Sequence, residues 1–214
     1  MQSALSENQP AALALTACSI HKLGYESARA IRGRAAVSTE TSNVAFRAQL
    51  IIAEQRQLYD YWASIAAGRS MPARDDVSPA HFPRLLPFIS LLERADGRLK
   101  VRLAGTRLRD IYEREITGLF LDEMDWGEKQ TYWDAVYDHV VKTLRPAQGV
   151  VRGPRLDKNH LVQFWLRLPL LHEGAEAGMI LCYDTFVSAQ MLPRSIELLG
   201  TQSADDRASL ANYG

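Results

Sequence analysis

The chain has 214 residues, of which 47% are hydrophobic and 23% charged, and 25 basic and 25 acidic residues give a formal net charge of +0. This length and composition suit one soluble domain with extensions, because roughly 100 to 200 residues per domain is usual. The neutral balance gives no electrostatic reason to expect nucleic acid or an anionic membrane as a partner. Cys18 and Cys182 are too few for a disulfide framework or a zinc site, and free thiols are typical of a reducing cytoplasm.

The first part of the chain divides into a leader and a helix. Residues 1–42 are rich in Ala, Ser, Thr and Arg without a sustained period, which predicts a disordered or poorly ordered leader. Apolar residues at helical spacing predict a helix over 44–67, with Asn43 as its cap and Gly68 at its end. No apolar run approaches the roughly 20 residues needed to span a bilayer, so no membrane anchor is expected.

The predicted first helix carries an apolar stripe of Leu58, Tyr61, Trp62 and Ile65. We interpret this stripe as an interface, which docks either on the sheet of the same chain or on a second copy. Four prolines then punctuate residues 71–87, and proline disfavours helix in the residue before it. This segment is therefore predicted to be an irregular connector with at most one helical turn.

Residues 88–118 predict a strand, a tight turn, a second strand and a short helix. Asp96-Gly97 lies between two apolar runs and suits a two-residue hairpin turn. On the second strand Leu99, Val101 and Leu103 alternate with basic residues, which predicts one buried face. Gly105 breaks the strand, and we expect Thr106 to cap the short helix.

The second half of the chain predicts one long helix and three strands. Residues 128–144 form the helix, and the strands cover 147–156, 160–170 and 177–187. The last two strands are apolar on both faces, which predicts a sheet that is covered on both sides. Residues 189–214 are predicted to be a polar C-terminal tail. Two hairpins that bracket a helical crossover would join into one five-stranded antiparallel sheet with helices on one face.

With this order of elements the sequence resembles the PAS family of sensory domains, and in particular the single-domain PAS proteins of alphaproteobacteria. The resemblance extends over about residues 45–187. The matching residues are Tyr61-Trp62, MPARDDVSP at Met71–Pro79, LLPFISLLE at Leu85–Glu93, VRLAGT at Val101–Thr106, the turn Glu115–Gly118 and Tyr183-Asp184-Thr185. The resemblance implies an α+β domain over 43–188 with strand order 2-1-5-4-3, a cleft between the sheet and its helices, and the N-terminal helix on the other face.

The resemblance also implies a function. Family members use the cleft or the outer face of the sheet to bind small molecules, to dimerise or to regulate signalling partners. The sequence contains no GxSxG, GxGxxG, P-loop or HExxH motif, so we expect a non-enzymatic regulatory module of bacterial signalling in the cytoplasm. No output domain follows residue 187, so we expect a separate signalling protein as the partner. The family favours some dimerisation, which the sequence does not decide.

Several side chains are candidates for the walls of a ligand cleft, which is usually apolar with a few polar anchors. They are Leu103, Tyr112, Trp133, Tyr137, Phe164 and Tyr183. The alternative is that these side chains simply fill the core, since protein interiors normally pack without voids.

Two further alternatives concern chemistry in the cleft. In haem-binding PAS domains the iron ligand comes from the helix that corresponds to 128–144, so His139 is a candidate haem ligand, and a half-buried, hydrogen-bonded histidine is the alternative. A flavin adduct is not expected, because the cysteine motif of light-sensing relatives is absent and Cys182 falls on a strand. A small enzyme that uses the cleft would need ionisable side chains that converge there with perturbed pKa values.

Overall fold

The computed structural model describes residues 43–153, 158–172 and 177–192. The predicted leader, residues 1–42, lies outside the described residues, and so do residues 193–214 of the predicted tail. Within the described ranges, no helix is long and apolar enough to cross a membrane.

The described residues form one antiparallel sheet of five strands. The strands are β1 (Ile89–Ala95), β2 (Arg98–Ala104), β3 (Ala147–Arg152), β4 (Leu161–Leu171) and β5 (Ala177–Ser188). Their spatial order is β2-β1-β5-β4-β3, which confirms the predicted order 2-1-5-4-3. The long strand β5 is therefore the central strand and the long strand β4 is its neighbour. Both faces of these two strands are covered.

The helices are α1 (Ala53–Ala66), α2 (Thr106–Tyr112) and α3 (Gln130–Thr143), and residues 43–49 are also helical. The single predicted helix over 44–67 is thus wrong, because the chain leaves the helical conformation at 50–52. The guanidinium of Arg56 donates hydrogen bonds to the carbonyl oxygens of Leu50 (2.5 Å) and Ile51 (3.0 Å). Because of the break, these carbonyl groups have no hydrogen-bond partner within a helix. The bonds from Arg56 satisfy them and so stabilise the non-helical conformation of residues 50–52.

The predicted caps are only partly correct. Asn43 does not cap α1, and its side-chain oxygen instead accepts a hydrogen bond from the Tyr59 hydroxyl at 3.0 Å. The end of α1 agrees with the prediction, since Gly68 has a φ of 83°. Thr106 is the first residue of α2, and the N-cap is Gly105, which makes no side-chain cap.

The proline-rich connector contains three short 3₁₀ turns where at most one helical turn was predicted. They are Arg74–Asp76, Pro79–His81 and Pro83–Phe88. Two of them begin at a proline, whose fixed φ suits the first position of a helical turn and whose missing N–H is not needed there.

The β1–β2 hairpin has the predicted turn and an unpredicted bulge. Ala95 pairs with Arg98, so the turn is Asp96-Gly97, with φ values of 53° and 76°. Further along, Leu91 pairs with Leu103 and Leu92 with Val101, so one extra residue lies on β2. A bulge of this kind shifts the alternation of side chains by one position. Leu103 therefore leaves the face of Val101, and it is 49% exposed.

The sheet has two covered faces, each with its own apolar cluster. The α3 face is covered by α2, α3 and the segment between them, and Trp133, Val136 and Val140 of α3 pack against it. The α1 face is covered by α1, whose Leu58 and Trp62 pack on the other side of the same strands. The fold prediction, with the N-terminal helix and the later helices on opposite faces, is confirmed.

Candidate functional site

Three buried polar side chains lie together on the α3 face at the centre of the sheet. Gln163 and Arg167 are on β4, and Asp184 is on β5. Their exposed fractions are 0%, 2% and 4%. Trp165, which stands between the two polar residues of β4 on the same face, pairs directly with Asp184 across the strands. The alternation of the strands therefore brings these side chains to one place.

The carboxylate of Asp184 holds the other two polar side chains. Arg167 donates from Nη2 to Oδ1 at 2.9 Å and from Nη1 to Oδ2 at 3.1 Å, which is a bidentate ion pair. Gln163 donates from Nε2 to Oδ1 at 2.7 Å. Nη1 of Arg167 also donates to the carbonyl oxygen of Leu166 at 3.0 Å. The pair is thus neutral in total and firmly hydrogen-bonded.

Aromatic rings enclose the guanidinium of Arg167. Its Cζ atom lies 5.3 Å from the ring centroid of Trp133, 5.4 Å from that of Tyr137 and 5.5 Å from that of Trp165. These distances are within the range of cation–π attraction. Trp165 packs closely on Gly149 of β3, where a Cβ atom would lie 2.5 Å from the indole ring. A glycine at this position therefore lets the ring lie against β3.

Three buried polar atoms of this site have no hydrogen-bond partner within the described part of the chain. They are Nε of Arg167, Nε1 of Trp133 and Oε1 of Gln163. A buried donor or acceptor without a partner costs about 1–3 kcal/mol, so such groups are uncommon in native proteins. These two donors and one acceptor make the centre a candidate site for a small molecule that forms hydrogen bonds.

The ionisable groups around Arg167 are held in their ordinary protonation states. Burial raises the pKa of the Cys182 thiol to about 12, and burial also raises the pKa values of Tyr112 and Tyr137. Burial is the largest single influence and lowers the pKa of Arg167, but the Asp184 carboxylate together with smaller contributions from Tyr137 and Cys182 outweighs it, so the pKa is raised. At neutral pH these groups are therefore fixed as neutral phenols, a neutral thiol and a charged guanidinium.

The structure divides the predicted cleft walls between the two faces. Tyr112, Trp133 and Tyr137 belong to the cluster on the α3 face. Phe164 and Tyr183 belong to clusters on the α1 side of the sheet. Placing these two in the cleft was wrong, because each is one residue away from the strand positions that face α3.

Leu103 is a third predicted wall residue that lies elsewhere. The bulge in β2 gives it the face of its partner Leu91, which packs against the α1-face cluster. Sequence reasoning also missed Gln163, Arg167 and Asp184. A signal was present, since these are polar residues in strands predicted to be covered on both faces, where such groups need partners.

The predicted interface stripe lies largely within the chain. Leu58 and Trp62 are buried on the α1 face, and the indole Nε1 of Trp62 donates to the carbonyl oxygen of Pro169 at 2.9 Å. The Tyr61 hydroxyl accepts a hydrogen bond from the Ser78 amide at 2.7 Å. Ile65 is partly exposed. Of the two alternatives for this stripe, docking on the chain's own sheet therefore holds for Leu58 and Trp62.

His139 lies at the edge of the buried face of α3 and is partly exposed. Burial lowers its pKa, with a smaller contribution from Arg145. The α3 side chains next to Arg167 are Trp133 and Tyr137, and His139 is not one of them. Among the described residues no group of three or more His, Cys, Asp or Glu could hold a metal ion. His139 therefore lies outside the set of side chains around Arg167, and its role as a haem ligand stays a prediction.

Comparison with known proteins identifies the family. A family model described as a PAS domain matches residues 52–182, which is more than half of the chain. The chain belongs to the PAS family. PAS domains are generally sensory signalling modules, and they commonly mediate protein–protein interaction. No curated protein matches this PAS domain.

Solved structures of LOV proteins are similar to this PAS domain. One is a crystal structure of the Rhodobacter sphaeroides LOV protein, with 15% identity, coverage of 52% of this chain and 69% of that chain, and a TM-score of 0.39. Another is the structure of a substituted RsLOV protein, with 16% identity, coverage of 64% and 94%, and a TM-score of 0.37.

Proposed function

We propose that this PAS domain is a non-enzymatic regulatory module of bacterial signalling, which binds a small ligand on the α3 face and transmits its presence to a separate signalling protein. The observation that carries this proposal is the buried centre of Arg167, Asp184 and Gln163 with its three unpartnered polar atoms. A core that only maintained the fold would gain stability from apolar side chains at these positions. A ligand with matching hydrogen-bonding groups would satisfy the unpartnered atoms.

Helix α3 is the element that connects this centre to the surface. Trp133 and Tyr137 face Arg167, and Asp138 and Lys142 on the same helix are exposed and paired with each other. A ligand that contacts the inner side of α3 would favour one position of the helix over another, because a ligand shifts an equilibrium by its difference in affinity for the two states. The exposed side of α3 would then present a changed surface to a partner.

The pKa values around the centre favour binding over acid–base catalysis. A general acid or base needs a pKa near the working pH, and a nucleophilic cysteine needs a lowered pKa. Burial instead raises the pKa of Cys182 to about 12 and raises that of Tyr137. These groups are therefore suited to donate hydrogen bonds as neutral side chains.

Native mass spectrometry of protein purified from its own host tests the proposal, together with affinity capture of partners. We expect a bound small molecule that is released on denaturation, and less of it in the variant Arg167→Lys, which keeps the charge but lacks Nε. The matched control is Arg47→Lys, because Arg47 forms a similar two-bonded pair with Asp60 on the exposed surface. Repeated preparations with neither a ligand nor a specific partner would contradict the proposal.

A further inference from the structure

The bend between the helical residues 43–49 and α1 contains no residue that breaks a helix. Residues 50–52 are Leu-Ile-Ile, and neither glycine nor proline occurs anywhere between residues 43 and 66. Isoleucine lowers helix propensity only slightly, so contacts with other parts of the chain must impose the bend. We infer that residues 43–66 have a second conformation, a single continuous helix, and that the bend is a switch between these two forms. This inference is independent of any ligand on the α3 face.

Two side-chain contacts join residues 43–49 to α1, and neither of them can form in a continuous helix. Arg47 donates from Nε and Nη2 to the Asp60 carboxylate at 2.6 and 2.8 Å, and the Tyr59 hydroxyl donates to Oδ1 of Asn43 at 3.0 Å. A helix rises 1.5 Å per residue, so a continuous helix would separate the Cα atoms of the first pair by about 20 Å and those of the second by about 24 Å. These contacts therefore belong to the bent form alone.

Arg56 and Asp60 exchange partners between the two forms. In the bent form Arg56 donates to the carbonyl oxygens of Leu50 and Ile51, and Asp60 is held by Arg47. In a continuous helix the two carbonyl oxygens accept from backbone amides four positions further on, so Arg56 is released, and distance separates Asp60 from Arg47. Arg56 and Asp60 are four positions apart on one helix, which suits a surface ion pair. Each form thus provides a partner for both of these α1 side chains.

The bent form leaves several polar groups of this region without a partner. Oε1 of Gln49 and Nε2 of Gln55 are buried, and neither has a hydrogen-bond partner within the described ranges. Ile52 stands at the N-cap of α1 and provides no side-chain cap for the first amides of the helix. A buried polar group without a partner destabilises the conformation that buries it. In a continuous helix the carbonyl groups of the preceding turn would accept from these amides.

The spacing of the apolar residues also fits a continuous helix. Four of them follow one another at intervals of seven, which places them along one side of such a helix. They are Val44, Ile51, Leu58 and Ile65. In the bent form Val44 is 69% exposed and Ile51 is 44% exposed, whereas Leu50 is buried. Gains and losses therefore oppose each other. Straightening would also uncover the part of α1 that residues 43–49 contact, so the switch changes the surface that the domain presents to a partner.

Pulsed electron paramagnetic resonance on the full-length protein tests this inference by measuring one distance. Spin labels are attached at Ala45→Cys and Ser64→Cys, which are exposed positions. Cys18→Ser in every protein removes a further labelling site, and Cys182 is buried. The two labelled Cα atoms would be about 29 Å apart in a continuous helix, and roughly 15 Å apart when the two helical segments lie side by side. We expect mainly the short distance when residues 43–66 carry no other substitution.

Two sets of substitutions should move the equilibrium in opposite directions. Arg47→Gln combined with Arg56→Gln removes bonds of the bent form, and we expect the ratio of long to short distances to rise about tenfold or more, as for the loss of charge-assisted hydrogen bonds. Ala53→Pro added to this double variant should restore the short distance. Proline suits the first position of α1, and the extended conformation of Ile52 (φ −84°, ψ 132°) suits the residue before a proline, whereas proline interrupts a continuous helix.

Arg69→Gln is the matched control, because Arg69 donates to the carbonyl oxygens of Ile65 and Ala66 at the other end of α1. It should leave the distances unchanged, and an equal rise of the long distance with Arg69→Gln would overturn the inference. An unchanged short distance in the double variant would overturn it as well. So would a broad distribution without a peak near about 29 Å, which means unwinding, or a long distance that persists with Ala53→Pro. None of these outcomes decides whether the α3 face binds a ligand, since all the substitutions in residues 43–69 lie outside that face.

Discussion

The two faces of the sheet are formed by the same strands but bury different kinds of side chains. On the α1 face, Leu166 and Leu168 of β4 pack beneath α1, and the indole N–H of Trp62 has a carbonyl partner. On the α3 face, the alternate residue Arg167 carries a buried charge, and three polar atoms around it have no partner among the residues that the structure describes. On the buried side of α1, Nε2 of Gln55 also has no partner among these residues, so the feature that sets the α3 face apart is its buried Arg167–Asp184 ion pair.

This comparison predicts that removal of one charge on the α3 face has the largest effect on stability. Asp184→Ala would leave the buried guanidinium of Arg167 without its counter-charge and Gln163 without its acceptor. Breaking a buried ion pair in this way costs about 3–5 kcal/mol. Urea unfolding followed by tryptophan fluorescence measures the free energy of unfolding.

Asp60→Ala is the matched control, since Asp60 pairs with Arg47 on the exposed surface, where an ion pair contributes little. The double variant Arg167→Met with Asp184→Leu should recover most of the lost stability, because apolar residues of similar volume often replace a buried pair without loss. A single Asp184→Ala variant as stable as the control would show that the pair is not desolvated.

A cavity on the α1 face is expected to have the next largest effect. Leu168 is completely buried there, and Leu168→Ala should lower the free energy of unfolding by about 2–5 kcal/mol, with about 3 kcal/mol as the central expectation. Because the α3 face is unchanged, the Leu168→Ala variant should bind any ligand of that face as before. A loss of ligand affinity as large as that of Arg167→Lys would contradict the proposal that the ligand binds on the α3 face.

The sequence predicts the fold well because the fold depends on regular patterns. The Asp96-Gly97 turn, the two strands on either side of it and the apolar face of α3 each follow from local spacing, and the structure has all three. The errors arise where one extra residue shifts the alternation of side chains along a strand, or where a contact with another part of the chain overrides a local preference. The bulge of β2 moves Leu103 to the other face, and no local feature of the sequence marks the extra residue.

The candidate site was harder to predict, because it depends on pairing between strands. The contact of Arg167 with Asp184 requires the register of β4 on β5, which the sequence does not specify. Phe164 and Tyr183 fell on the wrong face because strands that are apolar on both sides give no sign of which residues point toward α3. The buried polar residues did indicate this face. Gln163 and Arg167 are separated by an even number of positions, so their side chains lie on the same face of β4.

A smaller effect is expected where β3 supports the aromatic enclosure. In Gly149→Ala the new methyl group would meet the ring of Trp165 at 2.5 Å and force it to move. Overpacking of this kind costs about 1–3 kcal/mol. We expect lower stability in urea together with a changed tryptophan emission spectrum. Gly97→Ala is a useful comparison, because open space surrounds that position and only its positive φ is strained, so the emission spectrum should stay unchanged there.

Alkaline pH gives a test that is specific for the buried thiol of the α3 face. The pKa of Cys182 is about 12 in the folded protein, above the value of about 8.5 expected for an unfolded cysteine. The folded state therefore binds this proton more tightly, so the contribution to stability is complete below pH about 8.5 and is lost as pH rises toward 12. Between pH about 8.5 and 9.5 the free energy of unfolding should fall by about 1 kcal/mol from this thiol, before most tyrosines ionise.

The Cys182→Ala variant isolates this contribution. Its free energy of unfolding should fall less steeply over the same pH interval, although its stability at pH 7 is changed by the lost side chain. The measurement is a series of urea unfolding curves at fixed ionic strength. Parallel slopes for the two proteins would mean that the thiol is accessible to solvent in the folded state.

The last comparison is between two tryptophans, one on each face. Trp62→Phe and Trp133→Phe remove the same atoms from fully packed positions. The first also leaves the carbonyl oxygen of Pro169 without its donor, whereas the second removes an N–H that has no partner in the described part of the chain. An unsatisfied buried group costs about 1–3 kcal/mol, so in the ligand-free protein Trp62→Phe should be the more destabilising by about 1–2 kcal/mol. Equal losses would mean that the N–H of Trp133 is already bound in the ligand-free protein.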